Sequence, residues 1–535
     1  MPSAARLRPQ GVPLAYGALA FLVAGAVGVT PLVYLGARAL GADRQTWNLL
    51  SARAIADLAV DTALLAFGVT GASLGIGLPL AWLVARTNLP ARRLWGALAP
   101  LPLVIPSFVG ALVLEAGLAP HGLAQAVLEP FGVQALPEPR GYLGVLLVLT
   151  LSTYPYVFLL ASSALRSIDT SLEEAARSLG LSSLSTFARV TLPALRPALV
   201  SAALLVSLYV LSDFGAVSIM GYSTLTTAIY IRYESLLARE AAAILSLVLV
   251  GMAWAIVLAG GRSRGGRGVV YRSGPGSGRM PPPVQLGRWR WPAVAFPASV
   301  TLAFLAGPLA VLAWWTVAAA PADSSFRLSW GAAASSAWIS LLAAGVATVA
   351  VLPAAMLSWR WPSPLSRFVE RLTLLPSGLP GIAVGLSLVF LGARLGSLLY
   401  QSVGLLVLGY VTRFAPYALA AVRASLEGVS PRVEEAARSL GRRPARALVA
   451  VVLPLARPGI LAGAVLVFLK TVTELPATLL LRPIGFETLA TEIWQGTAVG
   501  AYSTVAPAAL LLMALALPIV LLVGRRTSWE LAAPG

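Results

Sequence analysis

Apolar runs of about 20 residues, the length that crosses a hydrocarbon layer as a helix, recur along the whole chain. They fall at approximately 13–39, 58–85, 96–118, 141–165, 195–217 and 241–260, and again near 292–319, 332–358, 369–392, 401–425, 456–481 and 502–524. Inside a bilayer every backbone N–H and C=O must find its partner within the protein, so continuous apolar runs of this length become helices. The expectation is an all-α integral membrane protein with about twelve transmembrane helices. The first run follows Arg6 and Arg8 and is too long for a cleaved leader, so it reads as a retained span.

Composition agrees with a bilayer as solvent: 58% of the residues are hydrophobic and 11% charged, with mean hydropathy +0.82. A net charge of +18 raises the question of nucleic acid. The basic residues sit in short loops between apolar runs, where positive charge marks cytoplasmic loops, so no nucleic-acid partner is expected. That rule puts the N-terminus, the C-terminal Arg525-Arg526 and the central segment inside, in a multi-pass protein of the cell (inner) membrane. The central segment, Arg262 to Arg290, is rich in Gly, Pro, Ser and Arg and reads as a flexible linker. Three parts follow: a first membrane half at 1–260, a cytoplasmic linker at 261–291 and a second membrane half at 292–535. The chain has no cysteine and a single histidine, His121, so no thiolate or histidine metal site is expected.

The two halves repeat each other in the same direction. Pro155, Glu174, Gly180 and Pro193 recur 261 residues later as Pro416, Glu435, Gly441 and Pro454. Pro79, Pro102 and Pro106 recur at an offset of 274 as Pro353, Pro376 and Pro380, the difference falling in the loop that holds His121 and Pro137. An even number of spans per half makes this a parallel repeat of two six-helix sets about an axis along the membrane normal.

Within the repeat, each half carries Glu-Ala-Ala, three residues, Gly, nine residues, an aliphatic residue, one residue and Leu-Pro. The copies are Glu174-Ala175-Ala176 with Gly180, Val190 and Leu192-Pro193, and Glu435-Ala436-Ala437 with Gly441, Val451 and Leu453-Pro454. The pattern predicts a short helix, a break and a second short helix. Ser430 before Pro431, and Ser171 with Glu174, fit helix starts. Acids at 173, 174, 434 and 435 suit the positive end of the helix dipole. The paired alanines leave a flat face, and Gly180 and Gly441 allow the left-handed residue that ends a helix.

These duplicated loops resemble the EAA loops of the permease family of binding-protein-dependent ABC importers, and the resemblance covers almost the whole chain. It implies the type I importer fold, a central pathway open alternately to each side, and an extracytoplasmic solute-binding protein as partner. It also implies that two ATPase subunits dock on Glu174, Ala175, Ala176 and Gly180 and on Glu435, Ala436, Ala437 and Gly441. No Gly-x-x-x-x-Gly-Lys-Ser/Thr occurs, and the one lysine, Lys470, lies in an apolar run. ATP and Mg are therefore expected on the partner ATPase, with no cofactor and no catalytic residue on this chain.

Ser212-Asp213-Phe214-Gly215, Gly221-Tyr222 and Thr226-Thr227-Ala228-Ile229-Tyr230 are similar to the ferric-iron branch of that family, as are Glu474 to Pro483 and Phe486 to Thr491. Sulfate and molybdate permeases share a related acid-Phe-Gly signature, and fusion of both halves in one chain also occurs in thiamine permeases, so those solutes stay open. Asp213 and Glu474 are equivalent at the 261-residue offset, and a carboxylate near a membrane core requires a partner or water. Two readings stand for them: a substrate pathway or gate, and structural pairing, for example of Glu474 with Lys470 four residues earlier. Glu115 is similarly placed near the end of the third run. A gradient-driven secondary transporter or a membrane scaffold are the readings from other classes.

Overall fold

The computed structural model describes residues 14–119, 122–133, 136, 138–168, 170–234, 238–264, 283–319, 329–396 and 399–529. His121, Pro137 and most of the central linker lie outside these residues. Among the described residues the fold is helical, and one isolated parallel β-bridge joins Thr87 to Val284. Among the described residues ten helices are long and apolar enough to cross a membrane, or eleven when the bent pair Tyr16–Gly28 and Thr30–Leu40 counts as one span.

The run expected at 369–392 is broken. Helix Pro364–Leu374 passes into a 3-10 turn at Leu375–Gly378, and a new helix begins at Gly381. The first half breaks in the same way, through Arg92–Leu98, Leu101–Val104 and Ser107–Leu118. Proline is the cause in both. Pro102 and Pro376 lack the N–H that would continue an α-helix, while Pro106 and Pro380 adopt extended backbone (ψ 150° and 146°) immediately before the next helix.

By packing, the chain divides into two compact units, each discontinuous in sequence. One comprises residues 1–46, 239–247 and 331–488; the other comprises 47–238, 248–330 and 489–535. In the first unit the opening helices Leu14–Gly28 and Thr30–Leu40 pack on Pro364–Leu374, Gly381–Leu395 and Val403–Glu427, all from the second half of the sequence. Tyr16 donates to the Pro353 carbonyl at 3.1 Å, and Arg38 pairs with Glu240 at 3.0 Å. In the second unit, by contrast, Arg290–Thr301 and Gly307–Ala319 pack with Ala52–Arg86, Ser107–Leu118 and Tyr502–Trp529. Tyr154, Phe158, Leu195, Val300 and Phe304 form part of one buried cluster there. The repeat halves of the sequence and the packed units of the structure thus partition the chain differently.

The central segment has an ordered end. Val284 donates to the Arg86 carbonyl at 2.8 Å and its own carbonyl accepts from the Asn88 N–H at 3.1 Å. Asn88 also bonds Gln285 and the Leu286 N–H. Residues 283–286 are therefore a strap along the end of the second span, where composition alone suggests a featureless tether.

Candidate coupling site

The two Glu-Ala-Ala segments form helices of nine residues, Thr170–Ser178 and Pro431–Ser439. Pro431 occupies the first helical position, where its missing N–H leaves no hydrogen bond unmade. Ser430 precedes it in extended conformation without a side-chain cap bond. The first helix starts at Thr170, which places Ser171 inside the helix instead of at its cap; the Ser171 side chain lies outside the described residues.

Both helices end alike. Gly180 and Gly441 have φ of +86° and +85°. The Gly180 N–H bonds the Arg177 carbonyl and Leu181 N–H bonds that of Ala176; Gly441 to Arg438 and Arg442 to Ala437 repeat the pair. This is a Schellman turn, which satisfies carbonyls the helix end leaves open. A short second helix follows, Ser183–Thr186 or Pro444–Ala447, then a π-helical turn at Phe187–Thr191 or Leu448–Val452. Pro193 and Pro454, lacking an N–H, stand just beyond each π turn at the start of the fifth span of each half.

The faces of these helices divide sharply. Ala176 and Ala437 are buried, while Glu174, Ala175, Gly180, Glu435, Ala436 and Gly441 are exposed. Leu179 and Leu440, the residues just before the two glycines, are 84% and 86% exposed. A large apolar side chain left exposed at the tip of the turn in both copies is a surface suited to a partner.

Glu173 and Glu434, one residue before the motif, point inward. Glu434 pairs with Arg360 at 2.7 Å, and Glu173 with Arg86 at 3.3 Å and with the Thr191 hydroxyl at 2.8 Å. Arg86 and Arg360 are the last residues of the second spans Ala52–Arg86 and Trp330–Arg360.

Asp213 and Glu474 follow the fifth span of each half and do one thing in common. Each carboxylate accepts the backbone N–H three residues on, Ala216 at 3.0 Å and Ala477 at 3.2 Å, and so starts the next short helix. Each backbone carbonyl takes a threonine hydroxyl at 2.7 Å, from Thr226 and Thr478. Their second oxygens differ. Asp213 accepts a hydrogen bond from the Ser107 hydroxyl, whereas Glu474 pairs with Arg413 at 3.2 Å. The pairing is supplied by Arg413, on a neighbouring span, and Lys470 lies over the Tyr417 ring. Glu115 pairs with Arg140 at 2.9 Å.

Residues 77–261 and 347–525 each match the family described as binding-protein-dependent transport system inner membrane component. The chain belongs to this family. It is also 32% identical over 499 residues to an Fe(3+)-transport system permease protein of Haemophilus influenzae, covering 92% of this chain and 94% of that one. A probable molybdenum ABC transporter permease protein of Haloferax volcanii is 33% identical over 188 residues, 35% of this chain and 67% of its own. The sulfate transport system permease protein CysT of Salmonella typhimurium is 28% identical over 211 residues, 38% and 75% of the two chains.

For this transport component the two matched segments each contain one Glu-Ala-Ala helix and its turn. The rings of Phe214 and Tyr230, from the segments that resemble the iron branch, lie 4.7 Å apart with planes inclined at 49°, and Trp494 lies 5.0 Å from Phe214. Sequence reasoning missed Arg86, Arg360, Glu173 and Glu434 as a set. The signal was present, since the arginines lie at the 274-residue offset and the acids at the 261-residue offset. Span-end arginines are common for topological reasons, however, and hide one with a partner.

Proposed function

We propose that this permease imports ferric iron, received from an extracytoplasmic binding protein and released into the cytoplasm. Two separate ATPase subunits dock on Thr170–Ser178 and Pro431–Ser439. The observation that carries the coupling role is the exposed, duplicated leucine and left-handed glycine turn, Leu179-Gly180 and Leu440-Gly441. Two equivalent surfaces suit two copies of one partner. The chain contains no phosphate-binding Gly-x-x-x-x-Gly-Lys-Ser/Thr, so ATP and Mg belong to those subunits. The arginine distribution supports cytoplasmic placement of both termini, both docking helices and the linker.

Iron is favoured over sulfate or molybdate because the iron-transport relative aligns across both halves, while the sulfate and molybdenum relatives align with about a third of this chain. Reconstitution with the cognate ATPase and binding proteins loaded with Fe3+, sulfate, molybdate or thiamine tests both levels. Stimulated hydrolysis and uptake with the Fe3+ form alone is the expected result. Stimulation by another loaded form redirects the substrate, and uptake driven by a gradient without any ATPase overturns the importer mechanism.

A further inference from the structure

We infer that Arg86–Glu173 and Arg360–Glu434 are the links through which each docking helix moves the second span of its half. The inference rests on the reading that these helices bind the ATPase.

Each docking helix is joined by the chain to two spans. Thr170–Ser178 follows the fourth span, Tyr142–Ser167, and leads through the Gly180 turn to the fifth, Leu192–Ser212. The second span, Ala52–Arg86, packs along both of these spans, and its Trp82 meets Phe187 of the π turn at 6.2 Å. The Arg86–Glu173 contact is the ion pair that ties the docking helix itself to that span, at the last residue of the span and in the first turn of the docking helix. The second half builds the same attachment from equivalent residues, Arg360 and Glu434.

Three observations make the contact a link and not a surface ion pair. It is enclosed, because the side chains of Arg86 and Glu434 are 6% and 3% exposed and those of Glu173 and Arg360 are 13% and 19% exposed. The Arg86 nitrogens are buried and make no hydrogen bond among the described residues, so the Glu173 carboxylate is what offsets that charge. The pair also recurs in both halves although its neighbourhood does not: Thr191 joins it in the first half, and Arg438 approaches Glu434 at 3.9 Å in the second. Separating two enclosed charges strands each without its counter-ion. A displacement of the docking helix therefore draws the arginine, and the helix that ends in it, along with it.

Arg86 and Arg360 are thus positioning residues that lie outside the exposed docking face. The test uses the natural absence of cysteine. Ala56→Cys, exposed near the opposite end of the second span, is labelled with a membrane-impermeant maleimide in vesicles holding the full chain and its ATPase, with and without ATP and vanadate. Backgrounds are the otherwise unaltered chain, Arg86→Gln with Arg360→Gln, and the exchanged pairs Arg86→Glu/Glu173→Arg and Arg360→Glu/Glu434→Arg. ATPase co-purification is measured for each.

In the otherwise unaltered background ATP should change the labelling rate about fivefold or more, the size of an ordinary coupling effect. The glutamine background should keep its ATPase and lose that change, and the exchanged pairs should recover at least half of it. An ATP response that persists in the glutamine background overturns the link. So does loss of ATPase from that background, which would make the pairs supports of the docking surface. An unaltered chain that holds ATPase but gives no ATP response overturns it as well. Failure of the unaltered chain to bind ATPase at all refutes the parent reading, and is distinguished by that control.

Discussion

Gly381 has no side chain where the Arg413 guanidinium reaches Glu474; a Cβ on this residue would fall on the guanidinium and within 2.5 Å of the carboxylate. In the first half the equivalent position is Ser107, whose hydroxyl reaches Asp213, and the equivalent of Arg413 is Ser152. One half satisfies its carboxylate with a hydroxyl, the other with a guanidinium that occupies the vacated space. Gly381→Ser alone should destabilise the protein by roughly 1–3 kcal/mol through overpacking. Gly381→Ser with Arg413→Ser, which rebuilds the first-half arrangement, should recover most of that loss. Thermal unfolding in detergent measures both.

Asp213 and Glu474 should differ in their response to neutralisation. Asp213→Asn keeps an oxygen for the Ala216 N–H, and asparagine caps helices about as well as aspartate, so a change below about 1 kcal/mol is expected. Glu474→Gln removes the carboxylate that Arg413 faces inside the protein and should cost about 3 kcal/mol. Transport per surviving molecule should stay near wild type in both if their role is to start the short helices. A transport defect at unchanged stability would instead assign the carboxylates to the pathway.

The turn glycines are required for their backbone conformation and not for space, since a Cβ at Gly180 or Gly441 meets nothing within 4 Å. Gly180→Val and Gly441→Val should cost roughly 1–3 kcal/mol each and weaken ATPase co-purification. Asparagine, which tolerates positive φ, should preserve assembly at both sites. Equal behaviour of valine and asparagine would show that the turn does not matter for docking.

The strap at 283–286 predicts that the linker is not uniformly replaceable. Val284→Pro removes the N–H bonded to the Arg86 carbonyl and should lower stability by about 1–3 kcal/mol. Substitutions confined to 265–282 should be silent by the same thermal assay. A protease site inserted near residue 270 should be cut in inverted membranes and spared in intact spheroplasts; cutting from outside would reverse the proposed orientation.

Much of this protein was legible in its sequence because the informative patterns are local. Span positions follow from apolar runs. The Glu-Ala-Ala helices and their left-handed glycines follow from motifs confined to about twenty residues, and the duplication made each copy a check on the other. The tertiary structure alone decided that helix Leu14–Gly28 packs on second-half helices, that Arg86 and Arg360 meet Glu173 and Glu434, and that Arg413 is the partner of Glu474. Periodicity could not foretell these. In a bilayer the lipid-facing side of a span is as apolar as the side that packs on another helix, so hydrophobicity marks a span without marking its neighbour.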